Sequence, residues 1–189
     1  MKHPNFIGSW SIANDFECND VINYFEENLF DRYPGITNSG VNHEIKKTTD
    51  IAIYPNDIEL PENIIFKNYI NQLFKCYKSY LDEWPLLKDI ASELKIPPFN
   101  VQKYITGGHF KHIHCERSPR QPNRLCAFMT YLNDVEKGGS TYFPYYDLEI
   151  QPEKGKTLIW PAEWTHAHRG NIVEAGEKYI ITGWMCFYI

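Results

Sequence analysis

The sequence has no apolar run long enough to form a signal peptide or to span a membrane. It also has no CxxC pair, and its five cysteines are scattered: Cys18, Cys76, Cys115, Cys126 and Cys186. An odd number of isolated cysteines is typical of reduced thiols and offers no closed thiolate set for structural zinc. We therefore expect a cytoplasmic protein without disulfides and without membrane association.

An excess of basic charge is missing as well. The chain has 19 Lys and Arg against 24 Asp and Glu, a formal net charge of −5, and no basic stripe. This balance argues against direct binding to a nucleic-acid backbone. With 189 residues, 43% apolar and 23% charged, the chain is typical of one soluble globular domain.

Two helices are predicted in the N-terminal half. Asn19-Asp20 is suited to cap the first, whose apolar residues Val21, Phe25 and Leu29 fall on one face. The second ends at the Trp84-Pro85 step and is indicated by apolar residues three and four apart: Phe66, Tyr69, Ile70, Leu73, Phe74, Tyr77 and Leu81. Between the two helices, residues 49–54 alternate in polarity and predict a strand.

After Pro97-Pro98 the helical periodicity ends, and short β-prone runs follow one another with glycine turns between them. These runs are Phe99–Ile105, Arg124–Asn133, Ser140–Phe143, Leu148–Gln151, Thr157–Trp160 and Lys178–Tyr188. The pattern predicts a mainly β fold with N-terminal helices, a double-stranded β-helix or jelly roll with the helices packed on one sheet. We predict a single domain over 1–189, with 1–97 as a helical and mixed support region and 98–189 as the β core.

Histidines are concentrated in the β-rich half. Five of the seven fall into two clusters, His109/His112/His114 and His166/His168. Residues two apart in a strand share a side, so His112, His114 and Glu116 can share one face. Two imidazoles and one carboxylate, with open positions left on the metal, are a ligand set suited to non-haem iron(II). Spacing alone leaves two alternatives: an HxH pair of His112 and His114, and histidines with no metal role.

Further residues stand at fixed offsets around these histidines. The pattern runs through Tyr104–Lys111, Arg124, Tyr131–Pro144, Pro152–Gly155, Leu158–Pro161, His168–Gly170, Lys178, Thr182 and Trp184. From about Phe99 to Trp184 the chain thereby resembles the prolyl 4-hydroxylase branch of the 2-oxoglutarate oxygenases.

The resemblance implies an iron(II) site of His114, Glu116 and His168. The offsets to Gly170 and Lys178 select His168 over His166, and Lys178, ten residues on, would bind the far carboxylate of 2-oxoglutarate. Tyr104 and Thr141 are implied as further hydrogen-bond partners of this cosubstrate. Dioxygen is the second cosubstrate, and ascorbate an accessory reductant. The implied reaction couples decarboxylation of 2-oxoglutarate to succinate with hydroxylation of a C–H bond, on a prolyl residue of a peptide or protein.

Two departures from the family pattern keep alternatives open. Glu116 stands where the family usually has aspartate, and one extra residue separates Gly107 from His114. One alternative is a cupin-like enzyme that uses His112, His114 and His168 without 2-oxoglutarate; another is a non-catalytic jelly-roll binding module. The motifs do not specify the substrate, so a free amino acid or small metabolite also stays open. The polar segment 117–123 is predicted to form a substrate-covering loop. We expect Arg117 and Arg120 to be solvated loop residues, with clamping of an acidic substrate as the alternative.

Overall fold

The computed structural model describes residues 5–14, 16–37, 39–91 and 93–188. Its helices are α1 (Cys18–Glu27), α2 (Ile64–Glu83) and α3 (Leu86–Ile90). Its strands are β1 (Gly8–Ser11), β2 (Tyr33–Pro34), β3 (Ile36–Thr37), β4 (Gly40–Val41), β5 (Lys46–Lys47), β6 (Thr49–Ile53), β7 (Phe99–Tyr104), β8 (His109–His114), β9 (Arg124–Tyr131), β10 (Lys137–Gly138), β11 (Thr141–Phe143), β12 (Leu148–Ile150), β13 (Lys156–Pro161), β14 (His168–Gly170), β15 (Val173–Ala175) and β16 (Lys178–Cys186). None of the helices in the described ranges is long and apolar enough to cross a membrane.

The long helix α2 follows the predicted apolar spacing. Phe66, Tyr69, Leu73 and Tyr77 are buried along one face and pack in the core beneath the large sheet. The helix ends at Glu83, because Pro85 disfavours helical geometry in Trp84, the residue before it. The prediction of this helix is confirmed, although Phe74 is 42% exposed.

The helix α1 differs from its prediction at both ends. It begins at Cys18, so Asn19 and Asp20 lie inside its first turn, and Glu17 occupies the cap position without a side-chain capping bond. It ends at Glu27, where the Arg32 guanidinium donates to the Phe25 carbonyl at 2.6 Å and replaces a helical partner. Leu29 was therefore wrongly placed on the buried face; it is 61% exposed in a short 3-10 turn.

Two antiparallel sheets form the body of the molecule. The large sheet has the order β1-β13-β9-β16-β7-β6-β2, and the small sheet has the order β12-β11-β14-β8-β5. From β7 onward the chain crosses repeatedly between the two sheets, as in a double-stranded β-helix. The predicted β runs are present with ends shifted by one or two residues, whereas four strands of this half, β8, β10, β14 and β15, were not among them.

The central strands of the large sheet are buried on both faces. In β16, Tyr179, Ile181 and Met185 belong to the core beneath α1 and α2. The residues that alternate with this set line the space between the sheets: Lys178, Ile180, Thr182 and Trp184. A strand projects successive side chains to opposite faces, so β16 serves the core with one set and an internal cavity with the other.

The N-terminal region contributes more than helices. Strands β1, β2 and β6 extend the large sheet, and β5 extends the small sheet. Only Thr48 separates β5 from β6, so the chain passes from one sheet to the other through a single residue. This corner closes one side of the cavity between the sheets.

Candidate metal centre and cosubstrate cavity

Three side chains predicted as metal ligands lie together at one end of the cavity. His114 ends β8 and is paired in register with His168, the first residue of β14. The Glu116 Oε1 atom lies 3.6 Å from His114 Nε2 and 3.3 Å from His168 Nε2. Among the described residues, these three form a metal-competent group, with ligand atoms all within 4.8 Å of one another.

Backbone carbonyls orient both imidazoles. The Nδ1 atom of His114 lies 2.8 Å from the His112 carbonyl oxygen, and that of His168 lies 2.9 Å from the His166 carbonyl oxygen. A carbonyl only accepts hydrogen bonds, so each Nδ1 carries a proton, and each Nε2 is directed toward Glu116. Anchoring one ring nitrogen in this way leaves the other, Nε2, as the atom that can bind a metal.

Trp184 and Arg124 support Glu116 through hydrogen bonds to its carboxylate and its backbone. The Trp184 indole N–H donates to Glu116 Oε2 at 2.6 Å, while Oε1 faces the two imidazoles. The Arg124 guanidinium stacks 3.5 Å over the Trp184 ring and donates to the Glu116 backbone carbonyl at 3.0 Å. These contacts hold the Glu116 carboxylate with Oε1 facing both imidazoles.

The electrostatics suit a divalent cation. Burial, followed by the neighbouring His114, lowers the pKa of His168, which leaves its imidazole neutral at pH 7. Burial raises the pKa of the Glu116 carboxyl, but its interactions with His114 and His168 outweigh this and hold that pKa well below the usual range. Two imidazole nitrogens and one carboxylate oxygen are a donor set that fits iron(II).

Lys178 lies in the same cavity, which has a volume of about 730 Å³. Its side chain is buried, and its ammonium donates to the Gly139 carbonyl at 2.8 Å and lies 4.1 Å from the centre of the Tyr104 ring. Among the described residues, no carboxylate lies within ion-pair distance of this ammonium. Burial lowers the pKa of Lys178 to about 7. A buried cation without a counter-charge is a site for an incoming anion.

Gly139 makes room for this lysine. It adopts a φ of +73°, and a Cβ atom there would lie 3.3 Å from Lys178 Cδ and 3.2 Å from Val173 Cγ2. The second glycine of the Gly138-Gly139 turn therefore has a steric reason, which the sequence motif did not reveal.

The other two predicted cosubstrate residues also line the cavity. The Thr141 hydroxyl is 2.6 Å from the Tyr131 hydroxyl, and the Tyr104 hydroxyl donates to Gln102 Oε1 at 2.8 Å. Gln102 also lines the cavity and was missed, because an isolated glutamine in a strand gives no motif.

The other three histidines of the two clusters lie outside this group of three side chains. His112 lies at the cavity edge with an exposed side chain and contributes its carbonyl to His114, so the geometry does not favour the HxH alternative. His166 is buried against the Asn5 carbonyl, at 2.9 Å from its Nε2 atom. His109 is buried away from the three metal-competent side chains.

The segment predicted as a substrate-covering loop begins at the cavity rim. Ser118 lines the cavity, but the Arg117 guanidinium pairs with Glu163 Oε1 at 2.5 Å. Arg117 is thus engaged by the protein itself, and Arg120 is exposed. All five cysteines are free thiols, as predicted.

Part of this chain is similar to known oxygenases. Residues 99–186 match the family model of the 2OG-Fe(II) oxygenase superfamily. Probable prolyl 4-hydroxylase 9 of Arabidopsis thaliana is 30% identical over 114 residues, which cover 46% of this chain and 40% of that protein. This chain therefore spans less than half the length of that curated relative.

Two solved structures share the fold over 97% of this chain. The viral collagen prolyl hydroxylase of Paramecium Bursaria Chlorella virus-1, solved as a 2OG complex, superposes with a TM-score of 0.72 at 19% identity and 97% coverage of its chain. A prolyl hydroxylase from Trichoplax adhaerens, solved with a peptide of hypoxia inducible factor, gives 0.73 at 17% identity and 84% coverage. The predicted double-stranded β-helix is confirmed.

Proposed function

We propose that the protein hydroxylates a prolyl residue of a peptide or protein substrate. The premise is that residues 99–186 form a prolyl 4-hydroxylase-like 2OG-Fe(II) oxygenase domain. The observation that carries the proposal is one cavity lined both by the His114, Glu116 and His168 side chains and by the uncompensated Lys178 ammonium. We propose further that the whole chain acts as one domain and works in the cytoplasm.

In this proposal His114, Glu116 and His168 hold iron(II), and Lys178 binds the far carboxylate of 2-oxoglutarate. Thr141 and Tyr104 contribute hydrogen bonds to the cosubstrate. When bound, iron(II) and 2-oxoglutarate supply the oxidative chemistry with dioxygen, yielding succinate, carbon dioxide and a hydroxylated C–H position. The protein orients these reactants and keeps water away from them, since Phe143 and Trp160 pack around His168 at ring distances of 5.4 and 5.0 Å.

The cavity's charges favour an uncharged reacting group. Lys46 is ion-paired with Asp50 at 2.6 Å, and Glu116 faces the two imidazoles and Arg124. After Lys178 is assigned to the cosubstrate, no buried unpaired charge remains among the described lining residues for an α-carboxylate or α-ammonium group. A free amino acid would bring both charges, whereas a prolyl residue within a chain brings neither.

The first test is anaerobic titration of the iron(II)-loaded protein with 2-oxoglutarate, following the visible metal-to-ligand charge-transfer band. We expect the band in the wild type and its loss in Lys178→Ala with iron retained. Incubation with proline-containing peptides should then give succinate together with a mass increase of one oxygen on proline. Bound iron without the band would contradict the oxygenase proposal, and succinate without peptide oxidation would contradict the prolyl substrate.

A further inference from the structure

A network of buried hydrogen bonds runs along the cavity wall on strands β5, β6 and β7. The Lys46 ammonium and the Thr48 hydroxyl each donate to Asp50 at 2.6 Å. The Gln102 amide donates to Asp50 Oδ2 at 3.0 Å, and the Tyr104 hydroxyl donates to Gln102 Oε1 at 2.8 Å. The network therefore leads from a buried ion pair to the tyrosine that lies beneath Lys178.

The donor and acceptor roles in this network follow from chemistry. An ionised carboxylate only accepts, so Asp50 must receive the NH₂ group of Gln102. The amide oxygen of Gln102 then faces Tyr104 and must receive a proton from it. A phenol has one proton, so in this arrangement Tyr104 has none left for a carboxylate bound at Lys178.

The hydrogen bonds of this network are held in one arrangement by their surroundings. The side chains of Lys46 and Asp50 are 6% and 2% exposed, and they stand on β5 and β6, on either side of the one-residue corner between the sheets. Rotating Gln102 would place its carbonyl oxygen against the Asp50 carboxylate, which is unfavourable in a buried setting. The Gln102 amide is thus fixed with its oxygen toward Tyr104.

We propose that Gln102 is a positioning residue that competes with the cosubstrate for the Tyr104 proton and so weakens the binding of 2-oxoglutarate. This inference rests on the proposed function. A carboxylate that arrives at Lys178 takes the Tyr104 proton only by leaving the Gln102 amide oxygen unpaired, at a cost of about one neutral hydrogen bond. This hydrogen-bond network lowers the affinity for the cosubstrate. It also favours the release of succinate, which carries the same far carboxylate.

The test measures 2-oxoglutarate affinity by calorimetry on the Mn(II)-loaded protein, without turnover. In Gln102→Leu the Tyr104 proton has no competing acceptor, while Asp50 keeps Lys46 and Thr48 as donors. We expect the Kd to fall about fivefold, the factor for one neutral hydrogen bond. Gln102→Met, which has an unbranched side chain of similar length, should act in the same direction. Gln151→Leu, an exposed glutamine outside the cavity, is the matched control and should leave the Kd unchanged.

A double-mutant cycle tests whether the effect of Gln102→Leu on the Kd depends on the Tyr104 hydroxyl proton. Tyr104→Phe should weaken binding, and adding Gln102→Leu to Tyr104→Phe should give no tightening. An unchanged or raised Kd in both folded Gln102 variants would overturn the inference, and so would tightening that persists without the Tyr104 hydroxyl. The proposed function fails in a different way, by absence of 2-oxoglutarate binding in the wild type or by full binding in Lys178→Ala.

Discussion

The affinity for 2-oxoglutarate should depend on pH because of the charge state of Lys178. Burial lowers the pKa of Lys178 to about 7, so in the free protein the ammonium is half protonated at pH 7. The far carboxylate requires the protonated form, and its negative charge raises the pKa of the bound lysine. Binding above pH 7 must therefore take up a proton.

The magnitude follows from the protonated fraction. With a pKa of about 7, this fraction falls from about one half at pH 7 to about one hundredth at pH 9, and the apparent Kd rises in inverse proportion. We expect the Kd of 2-oxoglutarate to rise by about fiftyfold between these two pH values. Folding stability has the opposite sign: the unfolded lysine binds a proton that the native one lacks, so the free energy of unfolding rises with pH above 7.

Calorimetry on the Mn(II)-loaded protein, in buffers of different ionisation enthalpy, measures both the Kd and the protons taken up. Lys178→Arg is the matched control, because a guanidinium stays protonated over this range and its profile should be flat. A wild-type Kd that stays constant from pH 7 to pH 9, with no proton uptake, would refute the assignment of Lys178 as a buried, partly neutral anchor.

Three further predictions concern the metal centre and the core. Trp184→Phe removes the indole donor to Glu116 Oε2 and should weaken metal binding about 10- to 100-fold, measured by Mn(II) titration; the exposed Trp164→Phe should leave it unchanged. Glu116→Ala should impair metal retention more than His112→Ala, and the reverse ranking would support the HxH alternative. Leu73→Ala empties a fully buried position beneath the large sheet and should lower the free energy of unfolding by about 2–5 kcal/mol in urea titration; a smaller loss would show that the helix can settle into the space.

Local patterns predicted the fold well where one physical effect dominates. The helix α2 carries a regular apolar stripe that is buried on the large sheet, so periodicity alone placed it. The strand β8 was not among the predicted runs, because three of its six residues are histidines and its middle is exposed. The end of α1 depended on Arg32, a residue outside the helix, and the position of Leu29 could not be inferred from spacing.

The residues of the candidate site also divide into those that the sequence predicted and those that only the structure revealed. The three predicted metal ligands and Lys178 stand at fixed offsets, and the structure brings them to one cavity. The sequence did not predict Gln102 or Asp50 as site residues. They form a hydrogen bond across neighbouring strands, and this pairing is known only from the folded structure. The support that Trp184 gives to Glu116 joins residues 68 positions apart and needed the folded chain.

The alternation of β16 has a consequence for engineering. Ile180 and Thr182 face the cavity, while Tyr179 and Ile181 face the helices. A library that varies Ile180 and Thr182 would reshape the cavity without touching the helix-side core. Deleting one residue from the middle of the strand would invert both faces over part of its length, moving apolar anchors into the cavity and cavity side chains into the core. In β16, the residue types at positions 180 and 182 can therefore be varied, whereas the length of the strand cannot.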